Sequence, residues 1–169
     1  MADGYRGVVG AFPYALRTSD SWLFRSYAAV SALVAAVVAL LFAAGVVQLI
    51  AATSGVGGGT LTLSRAFFVV VGLLVVVPVL APTLLVARRH RQGTGDDRRY
   101  DASLALAGYA FLCALYLGLL VASPAAFESV PAGPTAPVVA ALYALPRLAG
   151  IVPPLLGVVG IAVAHRLAG

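Results

Sequence analysis

Side chains able to do acid–base, nucleophilic or metal chemistry are few in this 169-residue chain: six carboxylates, two histidines and one cysteine. The carboxylates are Asp3, Asp20, Asp96, Asp97, Asp101 and Glu128, and on the sequence alone none falls within a long apolar run. His90 and His165 stand beside arginines at the edges of such runs, where a basic side chain ordinarily meets lipid headgroups. A metal site needs three or four converging ligands, and two separated histidines do not supply them. Neither paired carboxylates nor the Ser-His-Asp order of a nucleophilic triad occurs within reach along the chain. No catalytic residue, cofactor site or metal site is assigned, and an enzyme is not expected. Proton-coupled carriers usually hold a carboxylate or histidine inside the bundle, and here no such relay is expected. Cys113, inside an apolar run, is expected to be a small buried hydrophobe, and one cysteine excludes an intrachain disulfide.

The elements that must carry these residues are apolar. Hydrophobic residues make up 62% of the chain and charged ones 10%, against roughly a quarter charged in a soluble domain. Mean hydropathy is +1.01. Apolar stretches run over 26–52, 66–87, 102–122 and 136–164, and about 20 such residues suffice to cross roughly 30 Å of hydrocarbon. The net charge of +5 comes from arginine alone, since the chain has no lysine. In a membrane protein such an excess marks cytoplasmic loops, and nucleic acid is not the expected partner.

Counting arginines sets the expected orientation. Arg6, Arg17 and Arg25 precede the first stretch. Arg88, Arg89, Arg91, Arg98 and Arg99 lie in the loop "RRHRQGTGDDRRYD", and Arg166 is near the C-terminus. Both termini and the 88–101 loop are thus placed in the cytoplasm. The first stretch is too long for the h-region of a cleaved signal and is read as a retained span. Residues 1–25 mix aromatics with arginines and are read as an amphipathic interfacial segment, with Thr18, Ser19 or Asp20 as a cap leading into the membrane. The five loop arginines are candidate contacts for anionic lipid headgroups, weakened by Asp96, Asp97 and Asp101. The Gly-rich turn after the first span lacks the Gly-Lys-Ser/Thr ending of a phosphate loop.

Arg147 interrupts the last stretch. Arg147 and Arg166 are separated by roughly 28 Å of helix, close to the hydrocarbon thickness. The fourth span is therefore expected at 148–164, with 137–146 as a short outer interfacial helix and Arg147 at the membrane edge. The rival placement buries Arg147 and needs Glu128 as its partner, because no other acid lies on that side. A Glu128–Arg147 interfacial ion pair is the specific contact to seek. Pro78, Pro82, Pro153 and Pro154 are each expected to bend or unwind a helix. Ser31, Ala35, Ala39 and Ala43 recur every four residues, a spacing that lets helices approach closely. "RSYAAVSAL" at 25–33 is similar to "RRYDASLAL" at 98–106, and 77–89 is similar to 152–166. The match records either a parallel repeat of two hairpins or Ala/Val/Leu-rich sequence aligning with itself.

The opening "MADGYRGVVGAFPYALRTSDSWLFRSY", the segment "SRAFFVVVGLLVVVPVLAPTLLVARRHR" and the final "ALYALPRLAGIVPPLLG" resemble small uncharacterised multi-pass membrane proteins of halophilic archaea. The resemblance implies an archaeal cell membrane and brings no activity or site residue. The expected fold is all-α: a four-transmembrane-helix bundle, N-in and C-in, formed by residues 26–169 behind the 1–25 segment. The expected role is a non-enzymatic accessory or structural membrane component, acting through packing in a homo-oligomer or larger membrane complex. The alternative is a small transporter or channel subunit.

Overall fold

Backbone amides and carbonyls in lipid have no water to bond, so long apolar runs close their hydrogen bonds internally as helices. The computed structural model describes residues 7–53, 59–93 and 98–168, and there it is helical, without strands. The helices are α1 (Gly7–Thr18), α2 (Trp22–Thr53), α3 (Gly59–Gln92), α4 (Arg98–Val121), α5 (Ala136–Tyr143) and α6 (Val152–Ala168). Short 3-10 turns occupy Ala125–Phe127 and Arg147–Ile151. Four segments are long and apolar enough to cross a membrane: Trp22–Ala52, Ala66–Gln92, Arg98–Val121 and Arg147–Ala168. The all-helical, four-span reading of the sequence holds.

Helix ends depart from the apolar runs because polar residues, not hydropathy, set them. α2 starts four residues before the expected boundary, capped by Ser21, whose Oγ accepts the Phe24 N–H at 3.3 Å. Thr18 and Ser19, expected caps, are otherwise engaged: the Thr18 hydroxyl donates back to Tyr14 O at 2.9 Å, and Ser19 turns inward. α3 runs on to Gln92 and takes Arg89, His90 and Arg91 into its last turn, where cations suit the negative end of the helix dipole. α4 begins at Arg98, so Asp101 lies in its first helical turn rather than in a loop. Pro153 and Pro154 stand at the start of α6, where amides have no intrahelical acceptor. The Arg147–Ala168 segment passes from a 3-10 turn to α-helix just before them, whereas Pro78 and Pro82 are interior to α3.

α4 is the central helix. It packs on α2, α3, α5 and α6, while α2 and α6 make no contact with each other. α1 folds back on α3 and α2, with Ala11 and Ala15 fully buried. The core lies at one end of the bundle, among the start of α2 (Phe24, Tyr27, Ala28), the end of α3 (Val79, Val86) and the start of α4 (Leu104). We call this the polar end, since the chain's basic segments gather there. Toward the far end the two hairpins pack separately. Phe42 of α2 fills the space over Gly72 of α3, and Phe68 fills that over Gly45. In the other hairpin the α4 backbone at Gly118 meets the backbone at Gly150 before α6.

A two-fold relation between hairpins would pair α2 with α4 and α3 with α6. The α2–α3 and α4–α6 packings correspond, but the α3–α4 packing has no counterpart, because α6 does not reach α2. The arrangement is open along that edge.

Candidate functional site

The polar end gathers side chains that the sequence keeps far apart. Asp101 is buried, with 1% of its surface exposed. Its Oδ2 accepts the Ser19 hydroxyl at 2.5 Å, across 82 residues of sequence. The same oxygen lies 2.9 Å from His90 Nε2, and Oδ1 lies 3.2 Å from it. A carboxylate only accepts, so this bond places the ring proton on Nε2. Ser19 Oγ in turn accepts the Ser21 amide at 3.2 Å. One carboxylate thus joins the α1–α2 turn, the end of α3 and the start of α4. Burial of an ionised group is costly without partners. Two donors and the positive end of the α4 dipole offset that cost.

Beside it a second cluster ties in α6. The Arg89 guanidinium stacks 4.0 Å from the centroid of the Tyr100 ring and donates to Ala168 O at 3.2 Å. The Tyr100 hydroxyl lies 2.7 Å from His165 Nδ1. Deeper in the bundle, Ser26 Oγ and Tyr109 Oη are 3.0 Å apart, and the Tyr27 hydroxyl donates to Val79 O at 2.7 Å. Pro82 has no amide for the carbonyl of Pro78, next to Val79, so the Tyr27 hydroxyl donates to the α3 backbone beside the gap in its ladder. Ser31 Oγ and Thr83 Oγ1 follow, 3.3 Å apart. Farther along, Ala35 is buried and Phe42 of α2 packs over Gly72 of α3.

Three expectations are corrected here. A carboxylate does lie within a candidate span, because the helix starts before the apolar run does. His90 is not an exposed basic side chain but a core partner of Asp101, its side chain 8% exposed. Serine, histidine and aspartate do meet, with aspartate in the middle. In that order the serine proton faces a carboxylate and the imidazole does not reach the hydroxyl, so the general-base geometry of a nucleophilic triad is absent from this cluster. The arrangement binds helices together.

The other predicted positions are scattered. Arg88, Arg91, Arg98 and Arg99 are exposed at the polar end, whereas Arg89 is half-buried in the Tyr100 cluster. Asp96 and Asp97 lie outside the described residues, as does Arg6. Glu128 and Arg147 are both exposed at the far end, and the ion pair found among the described residues is His90–Asp101, not theirs. Cys113 is not covered by protein, contrary to the expectation. Of the small-residue row, Ser31 and Ala35 are buried while Ala39 and Ala43 are not. No three metal-ligating side chains converge among the described residues. The acid in the first turn of α4 was readable as a favourable dipole contact. Its partners were not, because they come from other helices.

The model of a family described as a domain of unknown function, DUF8056, matches residues 1–169. The chain belongs to the DUF8056 family. No curated protein and no solved structure matches it. In this DUF8056 chain the functional reading therefore rests on the packing and on the polar end. The archaeal source stays with the sequence resemblance.

Proposed function

We propose that this protein is a non-enzymatic integral component of the cell membrane, with both termini cytoplasmic, that works by packing its helices against a second copy or a larger membrane complex. The observation that carries this reading is the open edge of the fold: α2 and α6 do not touch, while α2 and α3 pack closely on each other through Phe42 over Gly72 and Phe68 over Gly45. Leu33, Leu40 and Leu41 on α2 and Leu73 and Leu74 on α3 are uncovered there. The polar residues support the same reading, since their hydrogen bonds are used to hold helices together. A transporter or channel subunit is the weaker reading, because the α2–α3 contacts described beyond Ser31 and Thr83 are apolar, Phe42 over Gly72 and Phe68 over Gly45.

Light scattering of the full chain in mild detergent, with co-purifying proteins identified, tests the role. An assembly larger than one chain is expected. A monomer that conducts ions or moves solutes after reconstitution would overturn it. Orientation is read separately with a membrane-impermeant maleimide on intact cells. In a Cys113→Ala background, Arg147→Cys should label from outside and Arg98→Cys only after lysis. The reverse pattern would overturn the topology.

A further inference from the structure

Of the seven exposed arginines described at the polar end, five come from five different helices: Arg17 of α1, Arg25 of α2, Arg88 of α3, Arg98 of α4 and Arg166 of α6. Among the described residues, none of the five side chains makes a hydrogen bond or ion pair. The buried clusters set their level. Arg88 is two residues from His90, Arg98 three from Asp101, Arg17 two from Ser19, and Arg166 adjoins His165. At about 1.5 Å per helical residue, these four Cα atoms lie within about one helical turn of the tied side chains. Arg25 stands one turn into α2, after the exposed Trp22. Asp20, the other carboxylate described at this end, is exposed and pairs with none of them.

We infer that these arginines form a ring that binds the phosphates of anionic lipid headgroups around the polar end of the bundle. Their distribution argues for lipid. Arg25 and Arg166 stand on helices that do not touch and lie on either side of α4, so the five are spread around the bundle, as headgroups are. The flanks beside them are apolar and uncovered: Trp22 is 77% exposed and Leu167 84%. A guanidinium next to a bare apolar flank matches the layering of a lipid, phosphate beside acyl chain. The ring differs from the loop contacts expected from sequence in two respects. It leaves out Arg89, which is committed to Tyr100 and Ala168, and Arg91 and Arg99, which have interactions of their own within the chain, and it adds Arg17, Arg25 and Arg166.

The ring rests on the membrane reading and is tested on the full chain. The protein is placed in nanodiscs of equal phosphatidylglycerol and phosphatidylcholine, extracted gently, and the retained lipids are counted by native mass spectrometry. Phosphatidylglycerol should be enriched, and less so at high salt. Substituting Arg17, Arg25, Arg88, Arg98 and Arg166 singly by Gln should each lower the enrichment by about twofold to fivefold. The five together should abolish it without changing the melting temperature in neutral detergent. Arg147→Gln, an exposed arginine at the far end, should leave it unchanged. Full enrichment in the five-fold variant, an equal loss with Arg147→Gln, or displacement of the lipid by millimolar inorganic phosphate or by duplex DNA would each overturn the ring. Failure to enter nanodiscs of either lipid would instead overturn the membrane reading.

Discussion

Asp101 decides more of this molecule than any other residue. Its carboxylate is the one acceptor shared by Ser19 and His90, so removing it leaves two buried donors without a partner. Asp101→Ala is expected to destabilise the protein by about 3 kcal/mol, measured by thermal unfolding in detergent. Asp101→Asn keeps one acceptor and turns an amide donor toward the other partner, so its cost should fall between wild type and Ala. An Asn variant as unstable as Ala would argue that charge, not hydrogen bonding, holds the cluster. Tyr27→Phe isolates a neutral bond to Val79 O, and a loss of about 1 kcal/mol is expected. Sequence made the acid visible and hid its role. Ser19 and His90 come from helices whose mutual position is not encoded locally.

At the scale of elements, glycine marks where helices meet. A Cβ on Gly150 would stand 2.6 Å from Gly118 O, a rigid backbone atom. Gly150→Ala should therefore push α6 away from α4 and cost about 1–3 kcal/mol. Gly160, within α6, has open space at its Cβ position, and Gly160→Ala should be neutral or slightly stabilising. Equal effects at the two sites, read as melting temperatures in one detergent, would contradict the α4–α6 packing. The prolines teach the same distinction between composition and position. Pro153 and Pro154 start a helix, while Pro82 sits inside one and has a tyrosine hydroxyl serving a nearby carbonyl. Residue type alone did not separate those two outcomes. The helix end did.

For the whole molecule, the polar end is one cooperative unit and the far ends are two. Ser19→Ala and His90→Gln act on one carboxylate, and their effects on stability should be non-additive by about 0.5 kcal/mol or more. Ser19→Ala and Gly150→Ala lie at opposite ends without shared partners, and they should add. A double-mutant cycle with the couplings reversed would refute the division. The same division carries the functional proposal, since the bundle is tied at one end and leaves uncovered apolar helix flanks at the other. What the amino-acid sequence determined by itself was the set of four apolar runs and the gathering of arginine at their ends. Those depend on the free energy of placing each side chain in lipid or water, a property of local composition. The tertiary structure alone decided that Asp101, His90 and Ser19 meet, that Arg89 leaves the surface, and that Glu128 does not pair with Arg147. Each of those outcomes depends on which helix packs against which, and at what level. In a chain so uniformly apolar, small residues and a few buried hydrogen bonds settle that packing where hydropathy cannot.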